Sequence, residues 1–336
     1  MTQQPSNPLV SGPVSHTFTP NDPGPLGVLA LSRSTVDRAT KLREDVTWLE
    51  QAWADPKSRV VVVSDGRALV QITDREYELV LVPPAQAPEG TRFFLGTDEE
   101  GVAYFGVSGE LPALEEGRSG SEYKALQLRQ VGADLSARDA GLLTHAVALA
   151  NWHDTHTHCP QCGTPTVPAA GGHLTRCPKD GTEHFPRLDP AVIMLVIDPD
   201  DRLLLARNAT WPAGRMSVLA GFVEPGESCE AAVAREVMEE ASVVVNHVEY
   251  LGSQPWPMPR SLMLGFRAVA PVAQEVSVDD EEIGEARWFT RAELREAIEA
   301  REVALAPTSS IARRLIEYWY GAELPDYAGG WGSPAR

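Results

Sequence analysis

Apolar positions in the first third of the chain fall into short runs, and from about residue 136 helical spacing joins them. Arg59–Ser64 (RVVVVS), Ala68–Ile72 and Glu78–Val82 are aliphatic or β-branched, brief and bounded by turn residues, which predicts strands. Thr35–Trp53 carries apolar residues at mixed spacing and accommodates a helix, whereas Gly109–Glu122 is rich in Gly, Glu and Ser and reads as loop. Ala140, Leu143, Val147 and Ala150 recur at helical spacing within Ala137–Trp152, behind Ser136 as N-cap. Ala191–Ile197 and Leu203–Ala206 bracket a turn-like Asp198–Arg202, the pattern of a β-hairpin. A helix is expected at Ser228–Ala241, strands at Val248–Leu251 and Leu262–Val269, and a last helix at Ser309–Tyr320.

Length and charge narrow the class. The 336 residues are 43% hydrophobic, too many for one small core and too apolar for a disordered chain. With 29 basic against 47 acidic side chains the net charge is −18, which argues against a general nucleic-acid binder or an anionic-lipid surface binder. A phosphate-bearing substrate stays open, because a metal ion supplies the positive charge that the protein lacks. The polar, Pro-rich first 25 residues read as a flexible tail without a targeting signal, and the longest apolar run, Ala191–Ile197, is too short for a membrane span. A cytoplasmic location is expected.

Three of the four cysteines cluster, a poor disulfide framework and a good metal site. Cys159-Pro-Gln-Cys162-Gly is half of a zinc knuckle, because thiolates at this spacing reach adjacent corners of a tetrahedron. The second half, Cys177-Pro-Lys-Asp180, keeps the spacing but ends in a carboxylate. Zn2+ held by Cys159, Cys162, Cys177 and Asp180 is the expectation, with His184, His158 and His173 as rivals for the fourth place. The alternative is a remnant loop that binds no metal.

The segment Gly221–Ser228 followed by Arg235-Glu236-Val-Met-Glu239-Glu240-Ala-Ser242-Val243 carries the densest chemistry. At about 100° per residue, with Glu236 at 0°, Glu239 falls at about −60° and Glu240 at about +40°, so three carboxylates share a helix face. Ala231, Ala234, Val237, Met238 and Ala241 fall in a separate apolar arc between about 100° and about 220°. Clustered like charges repel unless something neutralises them, and hard divalent cations use such oxygens. A solvated acidic face is the plain alternative, and the Gly- and Pro-containing entry with Arg235 beside Glu236 argues against it.

Gly221, Glu227, Arg235, Glu236, Val237, Glu239, Glu240 and Val243 match the Nudix box, and the chain resembles the Nudix hydrolases. Ser242 departs from the pattern: it stands where the family has a glycine, a position at which a left-handed helix end costs a non-glycine residue roughly 1 kcal/mol. Downstream, Ser253-Gln254-Pro255-Trp256-Pro257-Met258-Pro259-Arg260-Ser261 resembles the signature of the NADH pyrophosphatase branch, with Met258 in place of Phe. Its prolines stiffen a loop that presents Trp256, while Gln254 and Ser261 can hydrogen-bond a polar ligand.

The resemblance implies an α+β Nudix fold, a mixed sheet between helices, behind a zinc-ribbon-like segment and an N-terminal α/β domain. The implied divisions are a tail (1–25), the N-terminal domain (26–155), the ribbon (156–187), the Nudix domain (188–320) and a C-terminal tail (321–336). It implies metal-dependent hydrolysis of NADH or NAD+ to nicotinamide mononucleotide and AMP, and removal of NAD caps from RNA 5′ ends. Glu236, Glu239 and Glu240 would hold Mg2+ or Mn2+, with the Ala220 carbonyl and Glu282 as further ligands and Glu281 as a rival to Glu282. Glu227 and Arg235 would brace loop against helix, and Glu240 or Glu239 would take the proton of the attacking water. Residues Gln254 to Ser261, Phe222, Phe185, Ala312 and Arg129 would contact substrate. Cys229 is read as structural. A homodimer is implied too. The competing readings are another nucleoside diphosphate derivative as substrate, such as ADP-ribose or a dinucleoside polyphosphate, and a non-catalytic nucleotide sensor.

Overall fold

The computed structural model describes residues 24–73, 76–113, 122–278 and 281–325. In the N-terminal region α1 (Val46–Ala54) leads into β1 (Arg59–Val63), β2 (Arg67–Ile72), β3 (Tyr77–Leu79), β4 (Thr91–Thr97), β5 (Ala103–Ser108) and β6 (Glu122–Gln127). A short α2 (Leu128–Val131) and the long α3 (Ala137–Thr155) follow. Two three-stranded sheets form, in the orders β1-β5-β4 and β3-β2-β6. The valine run of β1 is explained by burial on both faces: Val61 and Val63 join the core under α3, while Val60 and Val62 join a second cluster packed against Trp48, Leu49 and Trp53. Thr35–Trp53 holds a 3-10 turn, Thr40–Glu44, and then α1, rather than one helix. Strands β4 and β5 were not expected from the sequence pattern, and the expected loop at Gly109–Glu122 lies partly outside the described residues.

The cysteine-bearing segment forms a small sheet in the order β7 (Val167–Ala169), β8 (Leu174–Arg176), β9 (Glu183–His184). The C-terminal half contains β10 (Asp189–Ile197), β11 (Leu203–Asn208), β12 (Leu219–Phe222), α4 (Cys229–Ala241), β13 (Asn246–Trp256), β14 (Ser261–Val269), β15 (Ile283–Phe289), α5 (Arg291–Glu299) and α6 (Ile311–Tyr320). Its six-stranded sheet runs β13-β14-β10-β11-β15, with β12 paired to β10. The β10–β14 pair is parallel and the remaining pairs are antiparallel. Val192, Met194 and Val196 face α4, while Ile193, Leu195 and Ile197 face the α5–α6 side, so the apolar run of β10 is again a strand covered on both faces.

At both ends of the described residues the packing departs from the expected divisions. Leu26 and Leu29 are buried in the core between the C-terminal sheet and α5–α6, and Leu26 O accepts from Arg314 Nη2 at 3.0 Å. Leu324, placed in the C-terminal tail, is also buried there, and its carbonyl accepts from Arg313. Apolar side chains a few residues beyond the last periodic element still gain by burial.

Candidate active site

Strand β12 sets Ala220 opposite Ile193 and Gly221 opposite Val192. A Cβ on Gly221 would lie 1.9 Å from the carboxyl carbon of Glu236, so a glycine here lets the helix carboxylate descend onto the strand. After the turn, Ser228 Oγ accepts from Ala231 N at 3.2 Å and starts α4. Arg235 then ties loop to helix. Its Nε and Nη2 donate to Glu227 Oε1 and Oε2, both at 2.9 Å; its Nη1 donates to Glu236 at 2.8 Å and Glu239 at 2.9 Å. A further bond from Nη2 reaches Phe222 O at 2.9 Å. This bidentate pair pulls the Glu227 carboxyl below its usual range and raises the Arg235 guanidinium further.

The apolar arc expected for α4 is displaced. Ala232, Val233, Val237, Glu240 and Ala241 are buried, whereas Ala231 and Met238 are exposed. Glu240 thus lies inside the buried face, not on a separate acidic one. The helix ends on Ser242 in the left-handed region, φ 56°, as the glycine of the family pattern would.

Glu240 is 8% exposed and its Oε2 has no hydrogen-bond partner. Burial first, then the charges of Glu236 and Glu282, push its carboxyl up to about 8, against the Ala220 N–H that bonds it. Burial also raises Glu236, opposed by Arg235. A buried, unpaired carboxylate oxygen among other acids is a costly arrangement unless a cation completes it, and an all-oxygen donor set fits a hard divalent ion. Glu239 stands apart, its side chain 59% exposed and tied to Arg235.

Glu240 opens on a cavity of about 250 Å³, also lined by Ala220, Glu282, Trp256 and Ala312. Glu282, not Glu281, is among the lining residues. Asn208, Trp211, Ser217, Met263 and Ser310 line it too, and no motif marked them. Ala209 N donates to Glu282 O at 2.8 Å, so the loop bearing Trp211 is fastened to the Glu282 segment.

Several expected substrate contacts sit elsewhere. Gln254 is 1% exposed, and both ends of its amide are engaged: Oε1 accepts from Leu31 N at 3.2 Å and Nε2 donates to Ser309 O at 3.0 Å. It is a structural clamp and does not present its amide to a ligand. The expected stiff loop is the end of β13 and a tight turn, with Pro255 opposite Leu262 and Trp256 opposite Ser261. Pro257 is buried, Pro259 is exposed and the Met258–Pro259 peptide is cis. Trp256 both lines the cavity and packs, with Met258, against the N-terminal core. Arg260 Nε donates to Asp189 at 2.7 Å, and Arg129 Nε donates to Gln127 at 2.8 Å. Neither is among the cavity-lining residues. Phe185 and Phe222 are 66% and 59% exposed, outside the cavity. Cys229 packs partly against the core under α4, which fits its structural reading.

In the ribbon, donor atoms of Cys159, Cys162, Cys177 and Asp180 all lie within 4.8 Å of one another. Cys162 Sγ and Cys177 Sγ are 3.5 Å apart, and Cys159 Sγ lies 3.7 Å from Asp180 Oδ2. Three sulfurs and a carboxylate oxygen so close fit a zinc ion. The rival histidines stand outside this set: His173 Nε2 meets Phe94 O at 2.7 Å and His158 Nδ1 meets Thr157 Oγ1 at 2.8 Å, while His184 Nε2 is buried without a hydrogen-bond partner.

The NUDIX domain family matches residues 187–308, the NADH pyrophosphatase zinc ribbon domain 154–185 and the NADH pyrophosphatase-like rudimentary NUDIX domain 57–152. The chain is 42% identical to the NAD-capped RNA hydrolase NudC of Mycobacterium bovis over 308 residues, covering 87% of this chain and 95% of that one. It is 32% identical to the NAD-capped RNA hydrolase NUDT12 of Homo sapiens over 336 residues, covering 86% of this chain and 72% of that one. A solved NUDIX hydrolase from Nitrosomonas europaea matches 50% of this chain and 94% of its own, with 25% identity and a TM-score of 0.39.

Proposed function

The chain belongs to the Nudix hydrolase family, in its NADH pyrophosphatase branch, and on that premise we propose that it splits the pyrophosphate of NADH and NAD+ into nicotinamide mononucleotide and AMP and removes NAD caps from RNA. The observation that carries the reading is the convergence of buried Glu240, Glu282 and Trp256 on one cavity. Glu236, Glu239, Glu240 and Glu282, with the Ala220 carbonyl, would hold Mg2+ or Mn2+. When bound, these ions neutralise the pyrophosphate oxygens and acidify a water for in-line attack on phosphorus. Glu240 is the better placed of the two candidate bases, since it lines the cavity and Glu239 does not. Arg235 holds Glu236 in place and keeps Glu227 against the turn. Trp256 offers a face on which a base stacks, and Trp211 offers a second.

Zinc in the ribbon is a structural cofactor in this reading, and its ligands are Cys159, Cys162, Cys177 and Asp180. The exposed rings of Phe185 and Phe222 would be covered in a homodimer, checked by light scattering. Among the described residues no helix is long and apolar enough to cross a membrane.

The test is product analysis. NADH, an NAD-capped oligonucleotide and ADP-ribose are each incubated with the protein under matched Mg2+ and Mn2+. Release of AMP and reduced nicotinamide mononucleotide from NADH, or of 5′-monophosphate RNA from the capped oligonucleotide, is expected. Hydrolysis of ADP-ribose alone, or binding without hydrolysis, would overturn the reading.

A further inference from the structure

We propose that the N-terminal half is a positioning device for the substrate hairpin of the catalytic half, and that Asn151 is the positioning residue at its contact with the hairpin tip. Asn151 lies near the end of α3. Its Nδ2 donates to Pro257 O at 2.7 Å and to Pro259 O at 3.2 Å. These carbonyls flank Met258 in the turn between β13 and β14, and Trp256 and Met258 rest on the core beneath α3.

The base of the hairpin is tied down separately. Ser32 Oγ donates to Ser253 O at 3.1 Å, and Gln254 is clamped between Leu31 N and Ser309 O. Ser309 Oγ in turn donates to Arg129 O at 2.8 Å, which links α2 to the residues that precede α6. Ser310 and Ala312, just beyond, line the cavity. Two walls of the cavity, the Trp256 hairpin and the start of α6, are therefore referenced to the N-terminal half.

The carboxylate wall has different supports. The bonds from Arg235 to Phe222, Glu227, Glu236 and Glu239 stay within residues 222–239. A change at Asn151 should thus disturb how substrate is held without disturbing how the cation-binding carboxylates are arranged. The Asn151 amide is a good lever for this, because two charge-free bonds from one rigid group fix both position and direction of the turn.

The readout rests on the proposed NADH hydrolysis. For Asn151→Ala, KM for NADH is expected to rise about tenfold, the loss of two hydrogen bonds, with kcat and the Mg2+ activation constant within about twofold of wild type. Asn151→Asp keeps the shape but faces carboxylate oxygens to carbonyls, and KM should rise further. In a Trp256→Ala background the Asn151→Ala effect should shrink to less than about twofold, because the residue acts through that indole. Ser309→Ala, which removes one bond of the same network away from the hairpin, should raise KM by about threefold and serves if Asn151→Ala does not fold. Calorimetric titration of NADH into the Glu240→Gln protein, with and without Asn151→Ala, reads the same weakening without turnover. An inactive wild type with this weakening intact would therefore count against hydrolysis and not against positioning. An unchanged KM in both Asn151 variants, or equal Asn151→Ala effects with and without Trp256, would overturn the proposal.

Discussion

The N-terminal and catalytic cores solve the same packing problem with the same device. Each has a strand buried on both faces, β1 with Val60–Val63 and β10 with Val192–Ile197, and each packs a long helix on one side. They differ in the acid that this helix buries. Asp139 of α3 is 2% exposed, and both its oxygens are used: Oδ2 accepts from Leu79 N at 3.1 Å and Oδ1 from Arg138 Nε at 2.8 Å. Glu240 of α4 is buried too, but one oxygen has no partner and the nearest charges are acidic. A buried acid whose bonds are complete holds a fold together; one left incomplete among like charges is a place for a cation. Fold likeness between the halves thus says little about shared chemistry.

The sharpest way to break this contrast is to neutralise each acid. Glu240→Gln should lower NADH hydrolysis by about a thousandfold or more, measured as AMP release, while the thermal midpoint holds or rises. Gly221→Ala attacks the same wall from the strand: its methyl displaces Glu236, and activity should fall by about a hundredfold with the protein still folded. Asp139→Ala should do the opposite, leaving kcat within about twofold while destabilising the protein by about 2 kcal/mol in denaturant titration. Equal losses of activity from Asp139→Ala and Glu240→Gln would dissolve the distinction.

A smaller, pH-dependent effect belongs to the N-terminal side. His145, His153 and His173 are held neutral mainly by burial, with Arg38 and Arg43 also opposing a proton on His145 and His173; His173 is lowered to about 4. Because the folded values are depressed, the unfolded chain takes up protons first, and stability declines as pH falls from about 6.5 toward 4. The contribution is complete above about pH 6.5, and His173→Gln should flatten that slope in pH-dependent unfolding. The smallest effect is a gain: Ser242→Gly should stabilise the protein by about 1 kcal/mol, since Ser242 sits at φ 56°.

Much of the catalytic half was legible as pattern. The β10–β11 hairpin, α4 and α6 follow from spacing, a local property, and the brace between Glu227 and Arg235 from the resemblance to the Nudix box. Strands β4 and β5 were missed because Phe93–Leu95 and Tyr104–Val107 show no polar alternation: β4 pairs with the adjacent β5, β5 with the more distant β1, and clusters on both faces cover them. The hairpin was misjudged for a similar reason: prolines signal a loop, yet Pro255 sits in β13 where its register against β14 tolerates it. Trp211 and Asn208 carried no signal, because a cavity wall assembled from several elements has no period.

Residue order by itself determined the ligand types: a row of box glutamates, a thiolate-rich knuckle and a Pro-flanked tryptophan. Chemical identity and short-range spacing are written directly in the chain. Tertiary structure decided which of those residues meet. It turned Glu240 into the buried face, excluded His173 from the zinc set, withdrew Gln254 from any ligand and brought Trp211 beside Glu282. Burial depends on what packs against a side chain, and that partner is often a hundred residues away, as Asn151 is from the turn it holds.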